Sequence, residues 1–139
     1  MDCKDLAYSS GLSHNEKPPL RVLAAVSDLF FTAKISAAAQ QLGLPVEFLR
    51  DEEKLRKQAE SAPSLVIVDL NNSTLDPIAL IAKLKANPST QQVQVIGFLS
   101  HVQQELKREA EKAGCDLVFP RSVFSQQLYD LLRQRSCHL

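Results

Sequence analysis

The feature that most constrains this chain is an alternation. Beyond residue 20, short apolar runs and segments of helical periodicity follow one another to the end of the sequence. RVLAAV (21–26), PVEFLR (45–50), SLVIV (64–68), VQVIGFL (93–99) and DLVF (116–119) read as five strands. Most are nearly continuous in apolar character, which is the pattern of strands covered on both faces. PVEFLR alternates instead and opens on Pro45, which suits an edge strand.

Five helical segments separate and follow the strands. Ser27 or Asp28 can cap the first, whose Phe31, Ile35, Ala38 and Leu42 share a face and which Gly43 ends. DEEKLRKQAESA turns Leu55 and Ala59 inward and a charged face to solvent. Asp76-Pro77 supplies a cap and a first-turn proline for the third helix, with Ile78, Ile81 and Leu84 toward the core and Asn87-Pro88 at its end. Val102, Leu106, Ala110 and Ala113 mark the fourth, stopped by Gly114, and Phe124, Leu128, Leu131 and Leu132 mark the last. Strict alternation with short connections predicts an α/β fold, a parallel five-stranded sheet with helices on both faces. Right-handed crossovers then leave few topologies, of which the flavodoxin-like (βα)5 order 2-1-3-4-5 leads.

A chain of 139 residues suits one domain. Residues 1–19 are polar, contain Gly11 and end at Pro18-Pro19, so they read as a flexible N-terminal tail before a domain spanning 20–136. Formal net charge is zero, which argues against nucleic acid or an anionic membrane as the partner. No apolar run approaches the roughly 20 residues of a membrane helix, and the N-terminus has no signal-peptide core. Cys3, Cys115 and Cys137 are far apart and form no CxxC pair, so a disulfide framework or zinc site is not expected and a cytoplasmic location is. Cys115, between Gly114 and an apolar run, reads as packing.

In an open α/β sheet, ligands bind beyond the carboxyl ends of the strands where strand order reverses. SLVIVDLNN puts Asp69 at that end of the central strand, beside Ser27-Asp28 after the first strand. Ser100 ends the fourth strand and Arg121 follows the fifth, so an acid, an alcohol and a guanidinium remote in sequence share one rim. An Asp after a strand is also a common turn residue, holding the next backbone N–H groups. His101 lies on the same rim and reads as a solvated loop residue, while His14 and His138 fall in the expected tails.

From about Arg21 to Arg135 the chain resembles the receiver domains of bacterial response regulators. VIVDLNN resembles the phosphoacceptor strand and loop, with Asp69 at the position of the phosphorylated aspartate and Asn71 at that of the residue whose carbonyl binds the metal. FLSH puts Ser100 at the Thr/Ser position, and AGCDLVFPRS resembles the stretch leading to the family's lysine, which falls on Arg121. Asp76-Pro77 stands where Asp-Gly is usual. The acidic pair after the first strand falls on Val26 and Ser27, or after a one-residue shift the second acid falls on Asp28. Pro120 precedes the basic residue where the family has a proline after it, and the aromatic switch position is Val118.

The resemblance implies a phosphoacceptor Asp69, phosphoryl contacts from Ser100 and Arg121, and Mg²⁺ held by Asp28, Asp69 and Asn71. A cation is needed because carboxylate and phosphoryl group are both anionic. Arg121 can pair with a phosphoryl group through its planar fork, yet differs from lysine in shape and reach. With acids missing and no ring at Val118, the resemblance implies a non-enzymatic two-component or phosphorelay module with a degenerate site, acting through protein–protein interaction. The alternative is an active receiver, phosphorylated on Asp69 by a histidine kinase with Mg²⁺. Partners would be such a kinase, a downstream effector, or a second copy through the fourth and fifth helices, from Val102 to Ala113 and Ser122 to Arg133, with Tyr129 and Leu132 as contacts. A flavodoxin-like enzyme or nucleotide binder lacks support: there is no GxGxxG, no GxxxxGK[ST], and only four glycines.

Overall fold

A computed structural model describes residues 21–63, 65–100 and 103–136. The expected tail 1–19, Cys3, Cys137, Val102 and all three histidines lie outside the described residues. The elements are β1 (Val22–Ala25), α1 (Leu29–Gln41), β2 (Val46–Phe48), α2 (Glu52–Ala59), β3 (Leu65–Asp69), α3 (Pro77–Ala86), β4 (Val95–Leu99), α4 (Gln104–Ala113), β5 (Leu117–Pro120) and α5 (Arg121–Ser136). All strand pairs are parallel, and the sheet order is β2-β1-β3-β4-β5, the order the alternation predicts.

The local signals act as their chemistry requires. Asp28, Asp51 and Asp76 each N-cap a helix by accepting from backbone N–H groups of the first turn. Pro77 sits in the first turn of α3, where a missing N–H costs nothing. Gly114 ends α4 at φ +113°, and a Cβ there would lie 2.6 Å from Lys85 Cγ, so both backbone angle and space call for glycine.

Alternation along each strand divides the core into two layers. Val22, Ala24, Leu65, Ile67, Ile96 and Phe98 face α1 and α5, where they meet Phe31, Ile35, Phe124 and Leu128. Leu23, Ala25, Val66, Val68 and Val95 face the other way, against Leu55, Leu80, Ile81, Leu84 and Ala110. The first layer is aromatic: Phe98 stacks on Phe31 with ring centroids 4.7 Å apart and on Phe124 at 4.5 Å. Such pairs add about 0.5–1.5 kcal/mol each beyond the area they bury.

The amino end of the sheet is closed by an ion pair. Lys85 Nζ donates to Asp116 Oδ2 at 2.9 Å, to the Val93 carbonyl at 2.8 Å and to the Gln91 carbonyl at 3.3 Å. Asp116 Oδ2 also accepts from the Val95 N–H at 2.8 Å, so one carboxylate ties α3 to the start of β4. Cys115 is buried beside it, and burial raises its thiol pKa to about 11, in keeping with packing.

Three expectations change. Leu132 is fully buried in the aromatic layer, as its place on the apolar face of the last helix predicts, and so is no surface contact, whereas Tyr129 is 42% exposed. Leu80 is fully buried while Ile78 is only half-buried, because helix α3 presents the 80/81/84 stripe to the sheet. β5 is partly exposed along its length, as an edge strand paired only to β4.

Candidate functional site at the carboxyl rim

The same alternation decides what Asp69 meets. Leu65, Ile67 and Asp69 are every second residue of β3, and the first two face the α1/α5 layer. Asp69 therefore lies over that layer's rim, where α1 and α5 begin. In register beside it is Phe98. The residue is 2% exposed.

Its two carboxylate oxygens have different work. Oδ1 accepts from the Asn71 N–H at 2.9 Å, and the Asp69 carbonyl accepts from the Asn72 N–H at 3.0 Å, which makes the tight turn out of β3. Oδ2 faces Arg121 Nη2 at 3.5 Å. Asp28 is split in the same way: Oδ1 caps α1 through the Phe30 and Phe31 N–H groups, and Oδ2 faces the same Nη2 at 3.6 Å. One guanidinium nitrogen thus stands between two carboxylates. Burial raises the Asp69 pKa above its ordinary value, against the opposing pull of the Asn71 N–H and the Arg121 charge, and the Asp28 charge adds to the rise.

Arg121 is the first residue of α5, an end whose dipole disfavours a cation. The two carboxylates offset that, and so does its seat, 5.3 Å above the Phe31 ring centroid and 5.9 Å from that of Phe98. Its buried Nε has no hydrogen-bond partner.

Ser100 and Asn71 form a second cluster. Asn71 Oδ1 accepts from the Ser100 N–H at 3.0 Å and its hydroxyl at 3.4 Å, and Asn71 Nδ2 donates to Gln103 Oε1 at 2.9 Å. Ser100 itself is exposed. The rim thus brings Asp69, Asp28 and Arg121 into contact and ties Ser100 to the loop after β3. Val26 is buried in the aromatic core, and Ser27 hydroxyl bonds Asn72 Oδ1 at 3.4 Å, so Asp28 alone of those three turns a carboxylate to Asp69.

Asn72 is the residue that sequence reasoning missed. It is buried, donates from Nδ2 to the Ala25 carbonyl at 3.0 Å, and accepts at Oδ1 from the Thr74 N–H at 2.8 Å and hydroxyl at 2.7 Å. It staples the loop after β3 to the end of β1. The signal available was an Asn pair directly after a fully buried strand, a turn-forming sequence whose backbone needs partners.

A divalent cation does not fit these donors as they stand. Of the four carboxylate oxygens, one caps α1, one makes the β3 turn, and two look at a guanidinium. The Asn71 side-chain amide is engaged by Ser100 and Gln103, so the loop could offer a cation only the Asn71 backbone carbonyl. Among the described residues no group of three or more His, Cys, Asp or Glu side chains is placed to hold a metal. Beside the rim, a cleft of about 310 Å³ opens between α4 and β5, lined by Leu99, Gln103, Lys107, Val118, Phe119 and Pro120.

No protein-family model and no curated protein matches the chain. Solved structures do. A response regulator from Chloroflexus aurantiacus J-10-fl superposes with a TM-score of 0.73 at 16% identity, covering 87% of this chain and 100% of that one. The receiver domain of the sensor histidine kinase PA1611 from Pseudomonas aeruginosa PAO1, which holds a magnesium ion in its active-site cleft, gives 0.72 at 16% identity over 87% of this chain and 100% of that chain. The chemotaxis response regulator CheY4 of Vibrio cholerae gives 0.70 at 17% identity, over 85% and 99%. The fold is that of response-regulator receiver domains. No helix among the described residues is long and apolar enough to cross a membrane.

Proposed function

We propose that the chain is a receiver-like signal-transduction module of two-component type, cytoplasmic and non-enzymatic, with a degenerate phosphorylation site and an output made of protein–protein contacts. The domain would span 20–136 behind a tail of residues 1–19. One observation carries the reading: Arg121 Nη2 stands between the Asp28 and Asp69 carboxylates, at 3.6 and 3.5 Å. For Asp69 Oδ2 to attack a phosphorus atom, the guanidinium has to leave that position. The incoming group would then meet two acids whose charge Arg121 alone offsets, where phosphoryl transfer calls for concentrated positive charge.

The contact surface in this reading is α4, β5 and α5. β5 offers an edge, Leu117 is 38% and Tyr129 42% exposed, and the cleft beside Val118 and Phe119 lies on the same side. A downstream effector or a second copy would dock there.

The second reading is an active receiver, with Asp69 phosphorylated by a histidine kinase, Mg²⁺ held by Asp28, Asp69 and Asn71, and Ser100 and Arg121 on the phosphoryl group. Support for it is the position of Asp69 at the carboxyl end of the central strand, in a fold whose P. aeruginosa neighbour holds magnesium. Intact-mass spectrometry after exposure to a small phosphodonor, with and without Mg²⁺, on wild type and Asp69→Asn, separates the two. The degenerate module gives no mass gain in any arm. A phosphate-sized gain in wild type alone, dependent on Mg²⁺, establishes the active receiver.

A further inference from the structure

We infer that Arg121 is a tethered counter-ion that replaces the divalent cation at this rim, so that the acid pair is held closed by a covalently attached charge and takes up metal only when that charge is removed. The inference deepens the degenerate-module reading and rests on it. Three observations converge. The free oxygens of Asp28 and Asp69 both point at one nitrogen of Arg121, as two ligands point at a shared ion. The other oxygen of each is committed to backbone N–H groups, so neither carboxylate can swing away without uncapping α1 or opening the β3 turn. The arginine is itself fixed: it opens α5 directly after Pro120, and its guanidinium lies over Phe31 and Phe98.

The choice of arginine follows from shape. A planar guanidinium can lie flat on aromatic rings and reach two acids from one edge, which a compact ammonium cannot. A Mg²⁺ ion demands near-octahedral oxygens and keeps its waters, so it cannot share the space between the carboxylates with that group. The long 3.5 and 3.6 Å contacts and the partnerless Nε mark a charge held by its surroundings and not by ideal hydrogen bonds. Removing it leaves two carboxylates facing one gap with nothing between them, which is the arrangement a hydrated divalent cation relieves.

The test uses the full chain, amide NMR with Mn²⁺ as a paramagnetic probe, and thermal melting with Mg²⁺. In wild type, the Asp28, Asp69 and Asn71 amides stay sharp in substoichiometric Mn²⁺, and millimolar Mg²⁺ leaves the melting temperature unchanged. Arg121→Gln, which keeps a stem over the rings, and Arg121→Ala both lose those amide signals to Mn²⁺ and melt higher with Mg²⁺. Arg121→Lys, whose compact ammonium cannot reach both acids from the rings, takes the charge out of the gap and binds Mn²⁺ there more weakly than the neutral variants do. Broadening of the three amides in wild type overturns the inference, and so does failure of both neutral variants, folded by their spectra, to take up metal. If wild type binds Mn²⁺ there yet gains no phosphate, the tethered charge is disproved and the degenerate module stands. If wild type gains phosphate, the module reading falls with it.

Discussion

The two ends of the sheet each carry a basic side chain set against acid, and they use it in opposite ways. At the amino end, Lys85 makes three bonds of 2.8–3.3 Å, two of them to backbone carbonyls, and its carboxylate partner also holds a backbone N–H. At the carboxyl end, Arg121 faces two carboxylates at 3.5 and 3.6 Å, leaves Nε without a partner and rests on aromatic rings. The first is a tight joint, in which the ammonium and one carboxylate oxygen each meet more than one partner. The second sets one positive charge against two acids at distances too long for strong hydrogen bonds. Position in the fold explains the contrast: the amino end only has to close, while the carboxyl end is where parallel sheets place their binding crevice.

The comparison breaks most readily at Gly114→Ala. The new Cβ would lie 2.6 Å from Lys85 Cγ at a backbone angle that side chains avoid, forcing Lys85 out of its bonds. We expect a loss of about 3 kcal/mol in urea unfolding, from left-handed strain plus severed charged hydrogen bonds. A loss under a few tenths would mean the joint is not rigid. Next comes Arg121→Ala, which leaves the buried Asp69 carboxylate unpaired. Because the guanidinium is 34% exposed, the expected cost is about 2 kcal/mol, below the range for a fully buried pair. Unlike that of Gly114→Ala, this cost should be partly recovered by added Mg²⁺.

A smaller effect sharpens the carboxyl end alone. The folded-state pKa of Asp69 is raised, so the stability it contributes is fully present below its ordinary value of 3.8 and is lost as pH rises through the folded value. Asp69→Asn removes that dependence. Wild-type stability minus variant stability should fall from pH near 4 toward neutrality, measured by denaturant midpoints. A difference that rises over that window would reverse the assignment. Ser100→Ala should be least, within about 0.5 kcal/mol, since the hydroxyl is exposed and 3.4 Å from its acceptor while the backbone N–H keeps the shorter bond.

The alternation made the fold readable, because strand burial and helix periodicity are local patterns that the layered architecture then obeys. The caps at Asp28 and Asp76 bear out the same kind of local chemistry, and Asp51, which the charged stretch put inside its helix, caps that helix instead. Leu132 was readable as part of the last helix's apolar face but not as closed to a partner, since the sequence does not say where that face ends. The Lys85–Asp116 joint was invisible: the partners are 31 positions apart, and Asp116 reads as the start of a strand. At the rim, sequence gathered Asp28, Asp69, Ser100 and Arg121 on one edge by topology. It could not say that Ser100 bonds Asn71 and not Asp69, because that turns on loop geometry of a few tenths of an ångström. Nor could it assign Arg121 to the gap between the acids, which depends on the even spacing of Leu65, Ile67 and Asp69 toward the α1/α5 layer.

The column of rings beneath Arg121 also gives this chain a built-in reporter. The sequence has no tryptophan and two tyrosines, while Phe31, Phe98 and Phe124 lie stacked in a fixed chiral setting. Their vibronic bands in near-ultraviolet circular dichroism should therefore stand out from a quiet background. The guanidinium sits on that column, so any event that lifts it changes the optical environment of the phenylalanines, and the rim can be watched without a dye or label.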